Sequence, residues 1–180
     1  MQPGSKIAEV RVNKLAANIV GTVLTFLFCA TGVALVHVLP NRARWSGWHQ
    51  IVLLVSIIAL LPLHEGLHAL GLLWFAGVRR SDIRFGVMWR ALMPYCACKV
   101  LIPVQAYRRM ALLPLYVTGL ATLGLLLLFP ADWLGFLAGI AIAACVGDVW
   151  IVAKLRHFDD DLFALDSPSE IGCDVLSTIP

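Results

Sequence analysis

Four long apolar segments dominate the pattern of hydrophobic and polar positions along this chain. They cover residues 15–39, 51–78, 110–131 and 133–153. Each one exceeds the roughly 20 residues that a helix needs to cross the ~30 Å hydrocarbon core of a bilayer. The first segment is also longer than the apolar part of a signal peptide, about 7–15 residues, so we interpret it as a retained anchor. The pattern therefore predicts four transmembrane helices.

A stretch between the second and third segments, residues 82–102, alternates between apolar and polar side chains. One face of its first half carries Ile83, Phe85, Val87 and Trp89. A turn at 92–94 then leads into a second run. Period-two alternation on both sides of a turn is typical of a β-hairpin. The predicted fold class is an all-α membrane protein with four transmembrane helices and a β-hairpin between helices 2 and 3.

The remaining segments divide the chain into three parts. Residues 1–14 form a polar lead that we interpret as an interfacial helix, residues 15–156 form the four-span domain, and residues 157–180 form a cytoplasmic tail. The tail is too polar to span a membrane. Its Ser-Pro-Ser-Glu sequence at 167–170 matches a capping box with proline at the first helical position, which predicts a short helix.

Composition places the chain in a membrane, and its cations predict an orientation. Hydrophobic residues make up 60% of the chain and charged residues 14%, and the mean hydropathy is +0.85. Of the 14 lysines and arginines, only Arg42 and Arg44 lie between the first and second segments, and none lies between the third and fourth. By the positive-inside rule, both termini and the 79–109 loop are cytoplasmic. The net charge of +3 follows from this bias, so no nucleic-acid partner is indicated.

The second apolar segment contains a His-Glu-x-x-His motif, formed by His64, Glu65 and His68. Two histidines four residues apart lie on one face of a helix and can bind a single metal ion. Glu65 lies about 100° round the helix, where it can face a water that the metal activates. Each ionisable residue at mid-bilayer costs roughly 2.5–3.5 kcal/mol on insertion scales, so three within five positions indicate a function. The alternative is that neighbouring helices satisfy both histidines as interior polar residues.

Asp148 is the one charged residue of the fourth segment, and its depth matches that of the histidines. It precedes Lys154 by six residues, while His68 precedes Arg79 by eleven. At ~1.5 Å per residue, the three side chains lie roughly 9–22 Å inside the cytoplasmic anchors. Two histidines and a carboxylate with an open fourth position suit a hydrolytic zinc site. Alternatively, Asp148 pairs with another polar group of the bundle.

These motifs resemble a small bacterial membrane family, the putative zincin peptidases, which is distantly similar to the site-2 intramembrane zinc metalloproteases. The resemblance covers roughly residues 50–166 and rests on the His-Glu-x-x-His helix followed by Gly147-Asp148 in the last span. It implies that His64, His68 and Asp148 bind zinc and that Glu65 is the catalytic base. It also implies a multi-pass protein of the bacterial cytoplasmic membrane.

The predicted function is that of a zinc-dependent intramembrane or membrane-embedded metallopeptidase. Its partners are then the lipid bilayer and a membrane-protein or peptide substrate, and the oligomeric state stays open. The hairpin either holds an extended substrate by strand addition or covers the bundle as a lid. The alternative function is a non-proteolytic zinc-binding membrane protein, which handles ions or binds membrane partners without catalysis.

Other candidate ligands carry weaker signals. Cys96 and Cys98 share a strand face, but two thiols alone are a weak indication of a metal site. Cys145 lies three residues before Asp148, and we expect it to pack as a small apolar residue. Asp166 matches an acidic position of the family, and we expect a helix-capping or surface role for it. The odd number of five cysteines argues against a disulfide framework.

The cation bias predicts which loops a membrane-impermeant thiol reagent reaches from outside. The reagent should label a cysteine placed at Asn41 and should not label one placed at Ser81, because Asn41 lies in the external loop and Ser81 in the cytoplasmic one. Labelling in intact cells measures this, with the unsubstituted protein as the background for its natural cysteines. Labelling only at Ser81 would show that the true orientation is the inverse of the predicted one.

Overall fold

The structure is a computed structural model that describes residues 3–43, 46–89, 93–167 and 170–178. Four helical stretches are long and apolar enough to cross a membrane: Lys14–Val38, Gly47–Phe75, Val104–Leu128 and Asp132–Leu155. Their number and approximate places agree with the sequence pattern, so the coarse architecture of a multi-pass helical protein is confirmed.

Strands precede, interrupt and follow the helical part of the chain. A short 3-10 turn, Arg80–Asp82, precedes the second strand, and a π-helical turn, Leu115–Gly119, interrupts the third span. In chain order the elements are β1 (Pro3–Val12), α1 (Lys14–Val38), α2 (Gly47–Phe75), β2 (Ile83–Met88), β3 (Met93–Cys98), β4 (Ile102–Pro103), α3 (Val104–Pro114), α4 (Leu120–Leu128), α5 (Asp132–Ala144), α6 (Val146–Leu155), β5 (Phe163–Asp166) and β6 (Ile171–Thr178).

Two of the differences between the predicted and the observed span boundaries have local reasons. Helix α2 ends at Phe75 instead of continuing to residue 78, because Gly77 adopts φ of +62° and turns the chain. The third span begins at Val104, six residues before the predicted start. Two arginines lie in this early part, and the first is accommodated because the Arg108 guanidinium donates to the carbonyl of Leu155 at 2.6 Å and pairs with Asp160.

Both chain ends form strands, which corrects the predicted fold class. The structure contains a four-stranded antiparallel sheet in the order β1-β6-β5-β4, so the protein is not all-α. The N-terminal lead is β1 and not an interfacial helix, and residues 171–178 form β6 and not a helix. Burial of alternate residues explains both results: Val10 and Val12 in β1 and Cys173 and Val175 in β6 are buried, as strand periodicity requires. Residues 168–169 of the supposed capping box lie outside the described residues.

Pairing between β1 and β6 has a topological consequence. The register runs from Pro3 opposite Thr178 to Val12 opposite Ile171. Since these strands lie at the two ends of the chain, the termini must be on the same side of any membrane that the four helices cross. An even number of spans meets this requirement.

The strands β2 and β3 form a separate two-stranded antiparallel sheet. Their register runs from Ile83 opposite Cys98 to Met88 opposite Met93, so Met93 and Pro94 lie in a strand and not in the predicted turn. The connection at residues 90–92 lies outside the described residues. The complete hairpin therefore stays a prediction.

Contacts divide the chain into two compact units. The first comprises Met1–Ala17, Glu65–Leu113 and Gly147–Pro180, and the second comprises Asn18–His64 and Pro114–Val146. The core of the first unit combines sheet residues with helix residues such as Leu72 and Leu155, both fully buried. The core of the second unit consists mainly of helix residues and includes Val36, Leu126 and Leu134.

Within the second unit, glycines let helices α1 and α5 approach closely. A methyl group added at Gly139 would lie 2.5 Å from the backbone nitrogen of Cys29, and one added at Gly32 would lie 2.3 Å from the carbonyl oxygen of Gly135. Small residues at contacts of this kind are the usual means by which membrane helices pack, because side-chain bulk would separate the backbones.

This close approach predicts a specific sensitivity to added bulk. Gly139→Ala should lower the free energy of unfolding by about 1–3 kcal/mol through overpacking against α1. The matched control is Gly21→Ala, because nothing lies within 4 Å of a methyl group added there. Thermal unfolding in detergent micelles compares the two variants. Equal melting temperatures would contradict this packing.

Candidate metal centre

One turn of helix α2 presents two imidazoles beside a carboxylate of α6. His64, His68 and Asp148 each offer a ligand atom, and these atoms all lie within 4.8 Å of one another. Among the described residues, no other three histidine, cysteine or acidic side chains form such a group. The structure thus brings together the three residues that the sequence singles out as metal ligands.

The orientation of the His68 ring follows from its hydrogen bond. His68 is buried, and its Nδ1 lies 3.3 Å from the carbonyl oxygen of Met110 in α3. A carbonyl oxygen only accepts hydrogen bonds, so Nδ1 must carry the proton. Nε2 is then the atom that faces Asp148, with 3.5 Å between it and Oδ1. Metal-binding histidines commonly have their second ring nitrogen fixed by an acceptor of this type.

Asp148 lies in the first turn of α6, where the fourth span has a break. Helix α5 ends at Ala144, Cys145 forms a turn, and α6 begins at Val146. A carboxylate near a helix N-terminus is favoured by the helix dipole and by backbone N–H groups that lack helical partners. The break therefore helps an acidic residue to lie within an otherwise apolar span.

Cys145 packs as expected of a small buried residue. It is fully buried, and its thiol donates to the carbonyl of Ala141 at 3.3 Å. It is not one of the three side chains that converge on the candidate site.

Glu65 lies next to the ligands without being one of them. It follows His64 in α2, it is half-buried, and its carboxylate interacts electrostatically with the His68 imidazole. It also interacts with Cys96 in β3. Glu65 is thus close to the ligand group and to the two-stranded sheet, while its own carboxylate remains outside the group.

Asp166 has a role that the sequence did not indicate. Its carboxylate accepts a hydrogen bond from the Cys98 backbone N–H at 2.6 Å and one from the Tyr107 hydroxyl at 2.7 Å. Burial raises its pKa above the ordinary value, although both hydrogen bonds oppose that rise. The expected capping or surface role is wrong, because this half-buried side chain joins the ends of β3 and β5 to α3.

The strand cysteines are poor metal ligands in this environment. Burial raises the pKa of Cys96 to about 12 and also raises that of Cys98. A thiol binds metal as the thiolate, which burial disfavours here. Both side chains also lie outside the ligand group described above.

Sequence reasoning missed two features of the site: the Met110 carbonyl that holds His68, and the link between Tyr107 and Asp166. Backbone acceptors have no residue signature, and Asp166 lies far along the chain from Tyr107. The sequence did carry a signal for a Met110 carbonyl without its helical donor, because a proline occupies position 114, four residues after Met110.

Comparison with known proteins agrees with this geometry. The family model described as "Putative zincin peptidase" matches residues 57–163, more than half of the chain, including the histidine motif and Asp148. No curated protein matches the chain, and no solved structure matches it. On the strength of the family match, the chain belongs to the Putative zincin peptidase family.

Proposed function

We propose that this protein is a zinc-dependent, membrane-embedded metallopeptidase that hydrolyses peptide bonds of membrane-associated substrates. The observation that carries the proposal is the convergence of His64, His68 and Asp148 within 4.8 Å, with Glu65 beside them on the same helix as the histidines. Membership of a zincin peptidase family supports the same reaction class.

The donor set fits zinc. Two imidazole nitrogens and one carboxylate oxygen are common zinc ligands, and three protein ligands leave one position for water or substrate. His64, His68 and Asp148 would hold the ion, and the 4.8 Å limit on their separations lets one ion contact all three. When bound, zinc supplies Lewis-acid activation of water and of the scissile carbonyl.

Glu65 is the proposed general base. It accepts a proton from the attacking water and delivers it to the leaving amine, which a carboxylate outside the ligand group can do. Its place directly after His64 keeps it within reach of the same metal-facing side. His68 remains neutral as a ligand, with its Nδ1 proton donated to Met110.

The peptide to be cleaved must be extended at this site, because a helical peptide bond is shielded by its own hydrogen bonds. We propose that an extended segment of the substrate pairs with the two-stranded sheet of β2 and β3. The charge of Glu65 contributes to the raised pKa of Cys96 in β3, which supports this, since a peptide alongside β3 would then lie near the base.

We further propose that both termini face the cytoplasm, so that the reaction takes place in the cytoplasmic half of the membrane. The cation bias supports this orientation. The pairing of β1 with β6 supports it as well, because it requires both termini on one side.

Glu65→Gln separates proton transfer from metal binding. The glutamine keeps the shape and hydrogen-bonding capacity of the side chain but cannot act as a base. Turnover should therefore fall by a factor on the order of 10²–10⁴ while the zinc content stays near that of wild type. The measurement combines metal analysis of purified protein with cleavage of co-expressed single-span membrane proteins.

The control is Asp174→Asn, which changes a carboxylate of β6 that pairs with Arg11 and Lys6. It should leave zinc content and turnover unchanged. Wild-type turnover in Glu65→Gln would show that Glu65 is not the base. Bound zinc with no cleavage of any substrate by the wild type would favour the non-proteolytic alternative.

A further inference from the structure

Pro114 closes helix α3, and its position changes the hydrogen bonding of Met110. In an α-helix the N–H of residue 114 donates to the carbonyl of residue 110. Proline has no N–H, and its ring crowds the carbonyl four residues earlier. The Met110 carbonyl therefore lacks its usual helical donor. In an apolar span such a carbonyl needs another donor, because no water is available to supply one.

His68 supplies that donor. Its Nδ1 lies 3.3 Å from the Met110 oxygen, and both residues are buried. The same bond that satisfies the carbonyl fixes the imidazole, since it places the proton on Nδ1 and leaves Nε2 toward Asp148. The Nδ1–H of His68 in α2 thus replaces the backbone N–H that Pro114 lacks in α3.

A glycine in α2 permits the close approach that this bond needs. Gly71 lies three residues after His68, and a methyl group added there would lie 2.9 Å from the Met110 Cα and 3.0 Å from its Cγ. Real Cβ atoms do not approach backbone atoms that closely, so any larger residue would push the two helices apart. The absence of a side chain at Gly71 therefore keeps Met110 within reach of His68.

We propose that Pro114 is a positioning residue for the metal centre: it withholds an N–H from the Met110 carbonyl, and that oxygen then orients His68 as a ligand through Nε2. The proposal rests on the metal site of the proposed function but not on peptide hydrolysis. It assigns Pro114 a part in metal binding although its side chain is not a ligand.

The test is Pro114→Ala in the full-length protein in detergent, titrated with zinc alone. The alanine N–H should reclaim the Met110 carbonyl and release His68. Loss of such an outer partner typically costs 10–100-fold in metal affinity, so we expect at least a roughly tenfold weaker affinity for zinc. The visible spectrum of the cobalt-substituted protein should change as well. The melting temperature of the metal-free protein should change little, because the hydrogen bond that the helix gains offsets the one that His68 loses.

Two further variants make the result specific. Pro62→Ala, the matched control, restores an N–H within α2 and should keep the wild-type zinc affinity. Gly71→Ala keeps the proline but displaces Met110, so it should weaken zinc binding too. Combining it with Pro114→Ala should add little, because both act on one hydrogen bond.

Wild-type zinc affinity with an unchanged cobalt spectrum in Pro114→Ala would overturn the proposal. So would an affinity loss accompanied by a large fall in melting temperature, since that result would attribute the loss to general damage to the fold. The outcomes also separate this proposal from the peptidase assignment. Zinc binding that depends on Pro114 in a protein without peptidase activity would refute the proposed function alone. Full affinity in Pro114→Ala, with turnover lost in Glu65→Gln, would refute the positioning role alone.

Discussion

Ionisable side chains within membrane-length apolar helices need partners, and this requirement governs the structure around the site. Each such residue costs a few kcal/mol in lipid unless it is paired or faces a polar interior. Local partners offset this cost. His68 lies between the Met110 carbonyl and Asp148. Asp148 lies in the first turn of α6, where the backbone N–H groups favour a carboxylate. A metal ion held by these side chains, as proposed, would neutralise the remaining charge.

The sheet anchors the helices that carry the ligands. Strand β5 ends at Asp166, which bonds to α3 through Tyr107 and to β3 through the Cys98 amide. At the β1 edge of the sheet, Lys154 of α6 donates to the carbonyl of Arg11 at 2.8 Å. Hydrogen bonds therefore connect both α3 and α6 to strands near the ends of the chain. These hydrogen bonds join residues far apart in sequence.

Sequence predicted the features whose physical signal is local. Apolar length predicted the four spans, and the spacing of His64 and His68 predicted their shared helix face. Asp148 was predictable from a depth estimate, because a carboxylate in an apolar span is costly unless it binds a cation or pairs with a polar group. The sheet was missed, since the first strand is polar on one face, and the capping-box pattern at 167–170 suggested a helix where β6 follows. The bonds of Asp166 were not predictable, because they depend on tertiary placement. Pro114 signalled a Met110 carbonyl without its helical donor, but the sequence did not indicate that His68 is the replacement donor.

The most direct test of the proposed zinc centre is X-ray absorption spectroscopy at the zinc edge on the purified protein. A site built from His64, His68 and Asp148 predicts nitrogen and oxygen neighbours at about 2.0–2.2 Å, with outer scattering from two imidazoles and no sulfur. In Asp148→Ala, the zinc content should fall sharply, and any remaining signal should lack one oxygen neighbour. A sulfur shell near ~2.3 Å in the wild type would contradict this ligand set, because it would require a thiol such as Cys145 or Cys96 in place of the carboxylate.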